Sequence, residues 1–270
     1  MLGYFGDAAP QTGRGVLRHA AALVATGRPA EAEAEVVRGW RTLSLSPGEQ
    51  AAFRDGWGAV LEAHHAARLD MLLWQGWTRE AEAMLPLVSP DLQALARARI
   101  ATRRDAEGLQ AAIWAVPQSL QADPGLAYER YRYRVTKGRW DEAEAALRAA
   151  STSADALGRP EMWMERRANL ARQALARGDV DGAYAIAAGG FGSAGPDYAD
   201  AEWLAGYIAL ERMNDPARAA VHFRRFDALV ATPVSRGRAG YWLGRALAAT
   251  GDAAGAAAAA MTICEPVSNG

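Results

Sequence analysis

The stretch Gly178-Asp179-Val180-Asp181-Gly182-Ala183 decides the fold class, because the chain repeats its plan five more times. The others are Gly27-Arg28-Pro29-Ala30-Glu31-Ala32, Gly76-Trp77-Thr78-Arg79-Glu80-Ala81 and Gly138-Arg139-Trp140-Asp141-Glu142-Ala143. Asn214-Asp215-Pro216-Ala217-Arg218-Ala219 and Gly251-Asp252-Ala253-Ala254-Gly255-Ala256 complete the set. Gly or Asn supplies the left-handed residue that ends one helix. Asp or Pro then opens the next, as N-cap or first-turn residue. The alanine five positions on lets the second helix lie close against the first, which makes an antiparallel αα-hairpin.

The repeat alanines Ala32, Ala81, Ala143, Ala183, Ala219 and Ala256 are spaced by 49, 62, 40, 36 and 37 residues. The last three spacings approach the ~34-residue period of tetratricopeptide hairpins. The first two are wider, so the first half is degenerate or carries extra helices. Val/Ile/Thr-rich alternating runs closed by Asn-Gly or Asp-Gly are lacking, while Ala, Leu, Glu and Arg dominate. The expectation is an all-α chain, a superhelical solenoid of TPR-like αα-hairpins over residues 1–270, with a softer seam near 151–159.

Single helices fit that expectation. Trp203, Tyr207 and Leu210 fall at i, i+4 and i+7, which is a core stripe. Val221, Phe223, Phe226 and Leu229 follow Pro216, and Tyr241, Trp242, Leu243 and Leu247 follow Pro233. By this spacing Trp74, Trp203 and Trp242 read as core. Trp40, Trp77, Trp114 and Trp140 lie near turns or helix ends and read less clearly so.

Half of the 270 residues are hydrophobic, enough for a sizeable core, and the formal net charge is −1. So balanced a charge argues against a nucleic-acid partner. The basic residues are almost all arginine, Lys137 being the sole lysine, which points to a GC-rich genome. The single cysteine, Cys264, rules out an internal disulfide, and nothing beside it in sequence would lower its thiol pKa. No run approaches the ~18 apolar residues of a membrane span, and the start Met1-Leu2-Gly3-Tyr4-Phe5 lacks the basic and apolar regions of a signal peptide.

Chemistry-bearing motifs are scarce. His64 and His65 are adjacent, so on a helix they diverge by about 100° and hold no common metal. With His19 and His222 they read as surface or half-buried helix residues. The pairs Glu31/Glu35 and Glu161/Glu165 sit on polar helix faces among arginines that offer partners, rather than across a cleft. No cofactor, metal site or catalytic residue is expected. The stretch from Pro233 to Ala246 sets Arg236, Arg238 and Arg245 beside Tyr241 and Trp242. Arg236, Arg238, Arg245, Tyr241 and Trp140 are the candidate surface for a partner or a glycan, since Trp and Tyr stack on sugar rings and arginines hold anions.

Several of these segments, in order, resemble one family. They are Ala67-Arg68-Leu69-Asp70-Met71-Leu72-Leu73-Trp74, Asp123-Pro124-Gly125-Leu126-Ala127-Tyr128-Glu129-Arg130 and Trp163-Met164-Glu165-Arg166-Arg167. Ala201-Glu202-Trp203 through Tyr207-Ile208-Ala209-Leu210, Val221-His222-Phe223, Thr232-Pro233-Val234-Ser235-Arg236 and Tyr241-Trp242-Leu243-Gly244-Arg245-Ala246 follow. Together, from about Gly15 to about Ala256, they resemble the helical domain of soluble lytic murein transglycosylases. The resemblance implies a periplasmic bacterial protein in which a superhelix frames a C-terminal lysozyme-like domain. That domain cleaves the MurNAc–GlcNAc bond of peptidoglycan to a 1,6-anhydro product, using a glutamate followed by serine. No Glu-Ser pair occurs here, and Met261 to Gly270 does not resemble the family's continuation. The expectation is therefore a scaffold fragment, inactive alone, with peptidoglycan strands and a lysozyme-like domain as its partners. The alternative expectation is a free-standing TPR-like adaptor for a protein partner.

Overall fold

A computed structural model describes residues 8–261, and Cys264 lies outside them. Among the described residues the chain is all-α, with no strand. It divides into two compact units, one running to Glu129 and one starting at Arg130. The division falls inside a helix, and the stretch 151–159 lies within the second unit.

The first unit contains α1 (Gly13–Ala25), α2 (Pro29–Thr42), α3 (Pro47–Leu61), α4 (His65–Gln75), α5 (Thr78–Met84), α6 (Pro90–Arg104) and α7 (Leu109–Trp114). Helix α8 (Pro124–Thr136) carries the division. The second unit contains α9 (Trp140–Ala150), α10 (Ala154–Leu157), α11 (Arg167–Ala176), α12 (Val180–Ala188), α13 (Pro196–Glu211), α14 (Pro216–Leu229), α15 (Pro233–Thr250) and α16 (Ala253–Met261). Neighbouring helices pack on each other most extensively in the pairs α1/α2, α11/α12, α13/α14, α14/α15 and α15/α16. Helices also touch the next but one, as in α2/α4, α4/α6, α11/α13 and α13/α15. Within each unit, helices thus pack mainly on their neighbours in chain order.

The turn chemistry is as the repeat requires. Gly27, Gly76, Gly138, Gly178, Asn214 and Gly251 all adopt positive φ, between 52° and 87°. Asp179 and Asp215 cap α12 and α14 by accepting from the N–H of Gly182 and Arg218. The repeat alanines Ala32, Ala81, Ala143, Ala183 and Ala219 are fully buried. The wide gap between Ala81 and Ala143 holds a further turn, in which Asp105 closes α6 at φ 52°. Gly108, Gly158, Phe191 and Gly195 also adopt positive φ, so left-handed residues are not confined to the repeat turns.

Each unit has its own apolar core. In the first, Val16, Val36, Trp40, Phe53, Leu72 and Met84 are fully buried together. In the second, Phe223, Ala246 and Leu247 pack with Trp203 and Trp242. Trp203 stacks on Tyr207 at 5.6 Å between ring centroids, and both meet Trp242 edge-on. Such aromatic pairs add about 0.5–1.5 kcal/mol each beyond the area they bury. Trp40, which the sequence left less clear, is fully buried, whereas Trp114 is exposed.

Three arginines are also fully buried: Arg68, Arg99 and Arg167. Arg68 lies over the Trp40 ring, donates to the carbonyls of Trp40 and Leu43, and pairs with Glu80 at 3.4 Å. Arg99 lies 5.1 Å from the Trp74 ring centroid and pairs with Asp70 at 2.9 Å. Arg167 donates to the Ile186 carbonyl and the Ser151 hydroxyl. A buried guanidinium is costly unless its hydrogens are taken up, and here carbonyls, a hydroxyl and carboxylates take up part of them, while Nε of all three arginines and Nη2 of Arg99 have no hydrogen-bond partner. Burial holds the pKa of Arg68 and Arg167 down at about 10.

Candidate functional site

The candidate surface residues of α15 separate into two kinds. Arg238 lies over the Trp203 ring at 3.7 Å, and burial lowers its pKa. Arg245 pairs with Glu211 at 2.9 Å and sits 5.1 Å from the Trp242 ring centroid. These two guanidinium groups lie against α15's own aromatic neighbours. Arg236 is exposed. Tyr241 is 53% exposed, with its ring edge-on to Trp242. Val234, Arg238, Tyr241 and Arg245 fall at i, i+4, i+7 and i+11, so they share one outward stripe of α15.

Trp140 lies elsewhere. It is the first residue of α9 and stays 41% exposed. It borders an open groove of about 400 Å³ whose other walls are Arg166, Asn169, Leu170, Arg172 and Gln173. The facing residues come from α11 and its N-cap. Positions 166, 169, 170 and 173 follow i, i+3, i+4 and i+7, which puts them on one face. Leu170 is buried and forms the floor, while the four polar side chains are exposed. Both Asp200 oxygens hold Arg172 at 2.8 Å. Arg166 has a looser partner, Glu165 at 3.5 Å. The groove is thus lined by an indole, two primary amides one helical turn apart, and a lightly held guanidinium. The sequence placed Trp140 among the candidates but gave no sign of its neighbours, because they come from a different helix.

The second unit also holds a polar cluster that the sequence reading passed over. His222, expected as a surface or half-buried helix residue, is only 4% exposed, with its ring on α14 held between residues of α12 and α13. Its Nδ1 lies 2.7 Å from Oε2 of the buried Glu202, and its Nε2 lies 2.8 Å from the Tyr184 hydroxyl. An ionised Glu202 accepts the Nδ1 proton, which leaves Nε2 to accept from Tyr184. Tyr198 also hydrogen-bonds Glu202, and burial with that carboxylate beside it pushes the tyrosine pKa up to about 12. Burial raises the Tyr184 pKa as well. Raised phenol pKa values keep both tyrosines protonated as hydrogen-bond donors, so the cluster ties α12, α13 and α14 together. One sequence signal pointed there: Glu202 stands at i with the small residues Ala205, Gly206 and Ala209 at i+3, i+4 and i+7, the buried face of α13.

The remaining histidines are half-buried, as expected. Glu31 and Glu35 each pair with an arginine three residues away, Arg28 and Arg38. Among the described residues no group of three His, Cys, Asp or Glu side chains is placed to hold a metal, and no helix is long and apolar enough to cross a membrane. No known family model and no curated protein matches the chain.

Proposed function

We propose that this chain is the helical scaffold of a peptidoglycan-processing enzyme of the soluble lytic transglycosylase type, working in the periplasm beside a lysozyme-like domain. In this reading the hairpins continue as a TPR-like superhelix that frames the catalytic domain and positions glycan strands. The chain itself contributes binding and shape, not bond cleavage.

One observation carries the reading: the segments that resemble the family hold the inter-helix pins. Arg68 lies against the Trp40 ring, Arg99 packs against Gly125, and the Trp74 ring meets that of Tyr128 at a tilt, 5.3 Å between centroids. Trp163 stacks on Tyr131, and Trp203 and Tyr207 meet Trp242. A resemblance seated on residues that fix helix against helix supports kinship of scaffold. The exposed stripe of α15, with Val234 84% exposed, favours a second reading, a TPR-like adaptor that docks a protein.

Incubation with purified sacculi tests the proposal. The expected outcome is no soluble 1,6-anhydro muropeptide from the chain alone, and restored or faster release when a lysozyme-like transglycosylase domain is supplied with it. Robust 1,6-anhydro product from the chain alone, or no effect on the supplied domain, overturns it.

A further inference from the structure

We infer that the outward face of α15 is a docking seam for an acidic amphipathic helix of a partner protein. The inference rests on the second reading, docking of a protein, and adds the chemistry of the partner. It is independent of the scaffold reading.

Spacing gives the shape of the partner. Val234, Arg238, Tyr241, Arg245 and Ala248 are all exposed, and they recur at alternating steps of four and three residues. That period, about 3.5 residues, is the seam that one helix offers to another lying along it. From 234 to 248 the seam runs about 21 Å, at a rise of about 1.5 Å per residue. α15 buries Ala239, Gly240, Ala246 and Leu247 on its opposite side, so the seam is a second face that the fold leaves open. It is not a plain polar face. Val234 is 84% exposed, and the Tyr241 ring stands in water beside it on the same stripe. Tyrosine and arginine are the residue types that anchor protein contacts.

Charge gives the sign of the partner. Pro233–Thr250 contains three arginines and no Asp or Glu. Arg245 is already paired with Glu211 at 2.9 Å, which leaves Arg238 as the unmet charge of the seam. Arg238 stacks on Trp203 at 3.7 Å from the ring centroid, and its N–H groups make no hydrogen bond or ion pair among the described residues. Asp200, the carboxylate whose charge it feels, is held by both oxygens to Arg172. Stacking fixes the plane of the guanidinium and leaves its edge donors for a carboxylate. A cation at a seam position is costly to cover unless the partner meets it with an acid, so it selects an acidic helix. A second copy of α15 would set arginine against arginine, with no acid on either side. A polyanion such as a nucleic acid needs a run of cations, not arginines separated by a phenol and preceded by a valine.

Fluorescence anisotropy of the full chain with labelled helical peptides tests this. One probe carries Leu and Glu alternating at the same four-and-three spacing on an alanine–glutamine background, and its counterpart has Gln in place of Glu. The Glu probe should bind about tenfold tighter than the Gln probe or better, and added salt should narrow the gap. Val234→Glu sets a like charge in the seam and should weaken the Glu probe by about tenfold or more. Arg238→Gln should bring the two probes level, whereas Arg54→Gln, which removes an exposed charge of α3, should change neither. Thermal unfolding verifies that the variants fold. Arg238 also packs on Trp203, so if Arg238→Gln is unstable the test passes to Val234→Glu, whose side chain lies in water. No binding of the Glu probe, unchanged binding by Val234→Glu, or oligothymidylate bound as tightly as the Glu probe overturns the inference. Equal binding of the two probes, lost in Val234→Glu, removes the acidic partner and leaves the adaptor reading standing.

Discussion

Arg68 lies flat against Trp40, its guanidinium carbon 4.5 Å from the ring centroid, and its Nη1 donates to the Trp40 carbonyl at 2.6 Å. One side chain of α4 thus holds both the ring and the backbone of α2. The same guanidinium reaches Leu43 beyond the end of α2 and Glu80 on α5.

Removing that side chain should weaken the first unit severely. Arg68→Ala leaves the Trp40 and Leu43 carbonyls without a donor and opens space beside the ring, a loss of about 3–5 kcal/mol. Arg68→Met fills the space and forfeits only the hydrogen bonds, a loss of about 1–3 kcal/mol. Urea unfolding of the two variants measures the difference; no loss in Arg68→Met would refute a polar role for the guanidinium, and equal losses would refute a packing role.

Two glycines should respond in opposite directions. A Cβ on Gly206 of α13 would stand 2.6 Å from a Phe223 ring carbon of α14, with two more ring carbons at 2.9 Å. Gly206→Ala therefore forces the best-packed helix pair of the second unit apart, at about 1–3 kcal/mol. A Cβ on Gly237 of α15 meets nothing within 4 Å, so Gly237→Ala should stabilise by about 0.5–1 kcal/mol through helix propensity. Thermal unfolding checks the two signs.

Acid should loosen the start of α3. Glu49 accepts from the Ser46 N–H and hydroxyl in a capping box and from the Arg14 N–H at the start of α1. The Ser46 backbone hydrogen bond, then its hydroxyl, holds the Glu49 pKa below its usual 4.5. A depressed carboxylate pKa gives stability that is present above the unfolded value and lost as pH falls through the folded one. Glu49→Ala should lower stability at neutral pH by about 1 kcal/mol, and the deficit should shrink as pH falls below about 4. A deficit that stays constant with pH would show that the carboxylate charge is not what caps the helix.

The His222 cluster makes a spectroscopic prediction. With Glu202 ionised, the neutral ring should carry its proton on Nδ1, and 15N shifts of the imidazole report which nitrogen holds it. A proton on Nε2 would contradict the network. His222→Leu strands a buried carboxylate and should cost about 2–4 kcal/mol, against a smaller loss for Tyr184→Phe, whose hydroxyl only closes the outer end.

How much of this was legible follows from range. The hairpin turns depend on six local residues, and each adopts the backbone that its glycine or asparagine implied. Asp105 escaped because aspartate enters the left-handed region less often than glycine, so its turn looked like a wide gap in the repeat. Core aromatics at helical spacing were legible, since a stripe is a property of one helix. The buried arginines were not, because only a carbonyl or a ring from another helix makes a core position tolerable for guanidinium. Gly125 shows the same limit: a Cβ there would fall 2.1 Å from Cζ of Arg99, a contact that no local pattern announces. The groove beside Trp140 likewise needs α9 and α11 together.

The scaffold proposal stands or falls most directly on co-sedimentation of the purified chain with intact sacculi. The account predicts that the chain pellets with sacculi and is released by soluble glycan strands. A chain that stays in the supernatant with sacculi, while a protein from the same cells retains it, would contradict the account and favour the adaptor.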